Sequence, residues 1–92
     1  MDLSSQVTQL LMDAGKAHHQ AFLAVDGDDP EWPLWYANYA QAKLNQLLGT
    51  SLTQAQIVYE LVRLEKEMAT VDTTDHWTHY YAAALVEAYT GA

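Results

Sequence analysis

The histidines are the residues of this sequence whose type and spacing are most similar to those of metal ligands. His76 and His79 are three residues apart, which places both imidazoles on one face of a helix, as in many metal-binding pairs. One of His18 and His19 could add a ligand, but not both, because adjacent helical residues point in different directions. The chain has no His-Glu-x-x-His pattern and no Glu-x-x-His pair. We therefore interpret the histidines as surface or core-edge residues, predict no cofactor, and keep metal binding at His76 and His79 as the alternative.

Three carboxylates lie close together in the segment Asp26-Gly27-Asp28-Asp29, a grouping that invites comparison with calcium sites. The spacing differs from that of a calcium-binding loop, which alternates its acidic ligands and ends with a glutamate at the twelfth position. Gly27 suits the end of one helix, and Asp29 suits the start of the next. We therefore predict a connection between two helices at this segment.

The sequence offers no recognisable nucleophile for covalent catalysis. It contains no cysteine, and its serines, Ser4, Ser5 and Ser51, stand near predicted helix starts, where capping accounts for them. A Gly-x-Ser-x-Gly turn and a glycine-rich phosphate loop are both missing. The sequence therefore favours a protein that is not an enzyme.

Aromatic residues form the densest chemical grouping in the chain. Four of the ten aromatic residues fall between positions 32 and 39, where two pairs are four residues apart and so share helix faces. The main interpretation is that these aromatic side chains fill part of the hydrophobic core, and the alternatives are a ligand pocket or a protein-binding surface. The candidate binding residues from this group and from a similar group near the C-terminus are Trp32, Trp35, Tyr36, Tyr39, Trp77, Tyr80 and Tyr81.

The charge balance of the 92 residues argues against several classes of partner. Twelve acidic residues against four basic ones give a formal charge of −8, so the phosphates of nucleic acid and an anionic membrane surface would repel the chain. No apolar run approaches the length of about 20 residues that spans a bilayer, and the first residues lack the basic and apolar parts of a signal peptide. We therefore predict a single cytoplasmic domain over residues 1–92 that binds a protein partner or forms a homodimer.

The first helix is predicted to run from a cap at Ser4 or Ser5 to about Val25. Its apolar residues recur in steps of three and four, and many of them are alanines, which allow another helix to approach closely. Gly15 in the middle of this helix indicates a tight crossing. The alanine-rich face is one candidate for a surface that contacts a partner.

The second helix is predicted from about Pro30 to Leu48, with Asp29 as its N-terminal cap. Pro30 fits the first helical position because its missing N–H has no intrahelical acceptor there. Gly49 is a natural end for the helix. Exposed parts of the segment Trp32–Tyr39 are the second candidate contact surface.

The third helix has the clearest N-terminal signal in the chain. Thr53 and Gln56 form a capping-box pattern, in which each side chain bonds to the backbone N–H of the other residue. A regular apolar stripe then continues to about Met68, and Glu60 is among the charged residues predicted to face water.

The fourth helix is predicted to start near Thr74 or Asp75 and to end near Thr90. Its first turns repeat the pattern of the second helix, with a tryptophan followed by a pair of aromatic residues and an alanine. One interpretation is two similar helical hairpins, and the alternative is a chance similarity in a composition rich in tyrosine and alanine. We expect the aromatic starts of the second and fourth helices to share one region of the core.

The run from Asp29 to Ala37 resembles a segment, Asp-Pro-x-Trp-Pro-x-Trp-Tyr-Ala, found in a group of small bacterial all-helical proteins of unassigned function. In that group the segment precedes a Val-Tyr-x-Leu-Val-x-Leu helix, matched here by residues 58–64, and a final aromatic-Tyr-Ala segment, matched by residues 80–82. The resemblance covers most of the chain from about His18 onwards. It implies a compact helical fold and transfers no catalytic residue.

These patterns predict an all-α fold, a compact antiparallel bundle of four helices. The favoured function is a non-enzymatic module for protein interaction or self-association. The alternative is a small-molecule or metal-binding protein that uses the aromatic helix starts together with His76 and His79.

Overall fold

The computed structural model describes residues 2–91, which form four α-helices and one short 3-10 turn. The predicted all-α bundle is confirmed. Within this range none of the helices combines the length and the apolar character that a membrane span requires. In chain order the helices are α1 (Leu3–Ala21), α2 (Trp32–Leu48), α3 (Gln54–Met68) and α4 (Trp77–Thr90), with the 3-10 turn at Leu23–Val25.

Helix α1 is the element against which α2 and α4 both pack, while α3 packs mainly against α2 and meets α4 only loosely. Small residues on α1 permit this arrangement. Ala14 is fully buried, and a Cβ atom added to Gly15 would lie 3.5 Å from the Tyr36 hydroxyl and 4.0 Å from the Trp77 ring. Ala14 on the alanine-rich face of α1 is therefore occupied inside the chain, whereas Ala21 at the end of the helix is exposed. The role of this face as a surface for a partner stays a prediction.

The core is built from aliphatic side chains of all four helices, and one carboxylate is buried beside them. Glu60 is 7 % exposed, although the charged pattern around it predicted a residue facing water. Its Oε1 accepts a hydrogen bond from Arg63 Nε at 3.1 Å, which satisfies the carboxylate. Burial raises the pKa of Tyr89, and a hydrogen bond to Glu60 adds to that rise. Leu44, Leu64 and Leu85 are among the most deeply buried side chains.

Helix α1 begins earlier and ends earlier than predicted. Asp2, rather than Ser4 or Ser5, caps it, because its Oδ1 accepts the backbone N–H of Ser5 at 2.7 Å. The helix ends at Ala21, and the chain continues through the 3-10 turn to a left-handed Asp26 with φ 57°. Asparagine and aspartate tolerate this conformation better than most residues, because their short side chains bond locally. The turn redirects the chain towards α2.

The aromatic starts of α2 and α4 both differ from prediction in their caps. Helix α2 begins at Trp32, and Glu31 occupies the N-cap position that was predicted for Asp29. Pro33 is therefore the second residue of the helix. Helix α4 begins at Trp77, and His76 caps it in place of Thr74 or Asp75. The His76 Nδ1 accepts the backbone N–H of Thr78 at 3.3 Å. A histidine ring can accept a hydrogen bond like the usual capping oxygens, and sequence patterns of common caps do not include it.

The connection between α2 and α3 follows the prediction. Gly49 ends α2 in the left-handed conformation with φ 67°. Thr53 and Gln56 form both bonds of the capping box, with the Thr53 hydroxyl accepting at 3.1 Å and the Gln56 amide oxygen accepting at 2.8 Å. Asn45 fixes the loop between them, since its side chain accepts from the Leu52 N–H and donates to the Leu52 carbonyl.

Candidate functional site

The aromatic starts of α2 and α4 meet at one end of the bundle. The rings of Tyr36 and Trp77 pack edge to face with centroids 5.7 Å apart. Trp32 extends this contact on the α2 side, 5.7 Å from Tyr36, and Tyr81 extends it on the α4 side, 5.2 Å from Trp77. The prediction that the two aromatic starts share one core region is therefore confirmed.

These four rings wall a cleft with a volume of about 310 Å³. Every helix contributes to the lining, and so does the connection between α1 and α2. A cleft assembled from separated parts of the chain keeps its shape only when the whole bundle is folded. The residues that line it are His18, Gly27, Trp32, Tyr36, Glu65, Trp77 and Tyr81.

The remaining three aromatic candidates lie outside this cleft. Trp35 and Tyr39 stack on each other, with centroids 5.5 Å apart and an angle of 14° between the rings. Trp35 also packs against Phe22, while Tyr39 is 45 % exposed. Tyr80 is held apart from the cleft by a hydrogen bond from its hydroxyl to Glu67 Oε1 at 2.6 Å. The seven candidates therefore separate into a cleft-lining group of four and three residues with other contacts.

His18 is the functional candidate that sequence reasoning ranked too low. Its imidazole stacks on Phe22 with centroids 4.6 Å apart and packs against Trp35 and Tyr36. Its Nε2 lies 3.1 Å from Asp29 Oδ2, and each of these two side chains is only 11 % exposed. The spacing of His18 from Ala14 and from Phe22, four residues either way, is the sequence signal for this inward position.

His76 and His79, the predicted alternative metal-binding pair, do not lie in the cleft. His76 caps α4 and lies against the Trp77 ring with centroids 5.9 Å apart, and His79 is exposed. Across residues 2–91 no three histidine, aspartate or glutamate side chains come together in a way that could hold a metal ion. The pair has no third ligand in this part of the chain, so the geometry favours the aromatic cleft as the candidate site.

The lining of the cleft combines apolar surface with polar groups. Aromatic rings supply apolar and polarisable surface, and the hydroxyls of Tyr36 and Tyr81, the imidazole of His18 and the carboxylate of Glu65 supply polar contacts. One imidazole nitrogen of His18 is already engaged by Asp29, which orients the ring.

Two tyrosines of the cleft hold their protons more strongly than free tyrosine. Burial raises the pKa of Tyr81 to about 12, and the negative charge of Glu65 adds to this rise. Burial likewise raises the pKa of Tyr36. Both hydroxyls are therefore neutral hydrogen-bonding groups at physiological pH.

The raised tyrosine pKa values make the fold sensitive to alkali. In the unfolded chain tyrosine loses its proton near pH 10, whereas the pKa of Tyr81 in the folded protein is about 12. Between these values the folded state binds more protons than the unfolded state. The contribution of Tyr81 to the free energy of unfolding is therefore fully present below about pH 10 and is lost as the pH rises towards 12. We expect the midpoint of thermal unfolding to drop over this range. In Tyr81→Phe the drop should be shallower, and an equal drop in both proteins would contradict this assignment.

Comparison of the chain with protein-family models, with curated proteins and with solved structures finds no match. The resemblance to the small bacterial helical proteins stays a prediction.

Proposed function

We propose that this protein is a non-enzymatic binding domain whose aromatic cleft takes a small organic ligand. The observation that carries the proposal is the meeting of Tyr36 and Trp77, because it joins two distant aromatic segments around a single cleft. Its volume of about 310 Å³ lies at the small end of the range typical of ligand pockets.

The composition of the lining supports a binding role. Ligand sites combine mostly apolar walls with a few polar groups that fix the orientation of the ligand. Here four rings form the walls, while His18 and Glu65 provide polar groups at separate places. His18 is itself held in place by Asp29, so that its position does not depend on the ligand.

The three tryptophans allow a direct test by protein-observed NMR. Trp32 and Trp77 line the cleft, whereas Trp35 does not. Trp35 stacks on Tyr39 and touches the cleft only from behind the lining rings of His18 and Tyr36. In a screen of small organic fragments, we expect binders to shift the indole N–H signals of Trp32 and Trp77 and to move that of Trp35 much less. Single Trp→Phe variants assign the signals. A screen in which binders act mainly on Trp35, or in which no fragment binds, would contradict the proposal.

A second candidate function, protein interaction or self-association, is favoured by an apolar patch on the other side of α2. Leu34 is 49 % exposed and lines a shallow groove with Pro33, Ala55 and Val58. Tyr59, next to Val58 on α3, is 66 % exposed. Large apolar side chains exposed side by side are typical of contact surfaces. The patch contains part of the Trp32–Tyr39 segment.

Self-association through this patch should depend on the salt concentration. Each copy carries a charge of −8, so two copies repel each other, and added salt screens that repulsion. In sedimentation experiments we expect a dimer whose fraction rises with protein and salt concentration and which is lost in Leu34→Glu. Val71→Glu, at an exposed site between α3 and α4, is the matched control. A monomer under all conditions would exclude the homodimer.

A further inference from the structure

A shallow groove crosses the surface at the starts of α2 and α3, outside the aromatic cleft. It consists of two adjoining hollows with volumes of about 400 and 460 Å³. Glu31 and Leu34 line both hollows, so the two form one continuous groove. The apolar residues beside them are Phe22 and Trp35 in the first hollow and Pro33, Ala55 and Val58 in the second.

The walls of this groove are held in place by contacts within the chain. Helices α2 and α3 pack closely against each other, and Gln54 Nε2 donates a hydrogen bond to Asn38 Oδ1 at 3.2 Å beside the first hollow. Trp35 stacks on Tyr39 and packs against Phe22. A surface that is already ordered in the free protein loses less conformational entropy when a partner binds. The groove is therefore formed before any partner arrives.

The charge of the groove is negative, and its free carboxylate lies where the two hollows meet. Glu31 is exposed and occupies the N-cap position of α2, but its side chain makes no capping bond and has no ion pair within residues 2–91. Asp29, the other carboxylate of the lining, is engaged by His18. None of the four lysines and arginines of the chain, all of which the structure describes, lines either hollow. A carboxylate between two apolar hollows is complementary to a cation between two apolar side chains.

The net charge of the protein separates the possible occupants of the groove. Each copy carries −8, so a second copy is repelled, whereas a basic segment of another protein is attracted from a distance. Leu34 is 49 % exposed, and its apolar surface gains free energy when a partner removes it from water. A shallow surface suits a chain segment lying along it better than a small molecule, which binds in an enclosing pocket.

We propose that this groove docks a basic segment of a partner protein, in which one lysine or arginine at Glu31 lies between two large apolar side chains that enter the two hollows. This inference rests on the second candidate function, protein interaction, and names the kind of partner. It is independent of the aromatic cleft. Salt screens the attraction between opposite charges, so binding should weaken as the salt concentration rises, whereas a homodimer should gain from salt.

The test uses short peptides with blocked ends in which one arginine stands between two leucines at several spacings. In a matched set citrulline, which is neutral and has nearly the same shape, replaces arginine. By isothermal titration calorimetry on the full chain at low salt, we expect the best arginine peptide to bind about fivefold more tightly than its citrulline form, the upper end for an exposed ion pair. Glu31→Gln should remove this difference. Leu34→Asn should weaken both forms about tenfold, because one apolar contact is lost.

The matched control is Glu87→Gln, which removes one negative charge from an exposed position on α4 that lines neither hollow. It should leave both affinities nearly unchanged. Equal affinities of the arginine and citrulline peptides would overturn the inference and leave the protein-interaction candidate supported by the apolar contact alone. Absence of peptide binding, together with a dimer that Leu34→Glu disrupts, would assign the groove to a second copy instead. If no peptide binds and no dimer forms, the inference and the candidate function both fall.

Discussion

Replacement of Tyr36 by alanine is expected to lower the free energy of unfolding by about 3–5 kcal/mol, the range found for large aromatic residues truncated in a core. Tyr36 is 8 % exposed, and its ring contacts those of His18, Trp32, Trp35 and Trp77. The truncation removes the contact that joins α2 to α4 and opens a cavity. A domain of this size has a total stability of roughly 5–15 kcal/mol, so the loss is a large share of it. Urea unfolding followed by circular dichroism measures the effect.

The matched control for this prediction is Tyr39→Ala, the same substitution one helical turn further along α2. Tyr39 is 45 % exposed. Within residues 2–91, Trp35 is the only aromatic ring that it contacts. We expect a loss below about 1 kcal/mol there, as for surface positions in general. Tyr36→Phe, which keeps the ring, should stay folded and retain most of the stability. Equal losses in the two alanine variants would contradict the central position of Tyr36.

Replacement of Asp29 by alanine is expected to destabilise the fold by about 2 kcal/mol, within the range for a buried polar group that loses its partner. One carboxylate oxygen of Asp29 bonds to His18 Nε2, and the other accepts the backbone N–H of Glu31, both at 3.1 Å. The variant leaves the imidazole of His18 without this partner among three aromatic neighbours, Phe22, Trp35 and Tyr36. Thermal unfolding should show a decrease in the midpoint of roughly 8–16 °C.

Two further variants separate the His18–Asp29 contact from other effects. Asp28→Ala changes an exposed neighbour in the same connection and should have little effect. The double variant His18→Phe with Asp29→Ala removes both polar partners, and it should lose less stability than the sum of the two single variants. Strict additivity would show that the two side chains do not stabilise each other.

The elements that sequence reasoning placed correctly are those defined by local signals. Gly49 and the Thr53–Gln56 capping box determine the end of α2 and the start of α3 through contacts within a few residues. Apolar periodicity likewise predicted four helices. The starts of α1 and α4 differ from the prediction because Asp2 and His76 are the N-terminal caps. Each of them accepts a hydrogen bond from a backbone N–H in the first turn of its helix.

The composition of the cleft was harder to predict because its members come from separate elements. Four of the seven aromatic candidates on α2 and α4 meet at the cleft, in line with the pattern repeated in the sequence, whereas Trp35, Tyr39 and Tyr80 lie outside it. Glu65 was indistinguishable from the other charged residues of α3, because only the packing of α3 beside Tyr81 gives it a position at the cleft. The roles of His18 and Asp29 depend on a contact across eleven residues and a turn, which no local pattern encodes.

The proposed ligand-binding function requires that rings from α2 and α4 pack against each other, and a nuclear Overhauser measurement on selectively labelled protein tests this most directly. We expect cross-peaks between the ring protons of Trp77 and those of both Tyr36 and Tyr81. Absence of any cross-peak between Trp77 and Tyr36, in spectra that do show Trp35 against Tyr39, would contradict it.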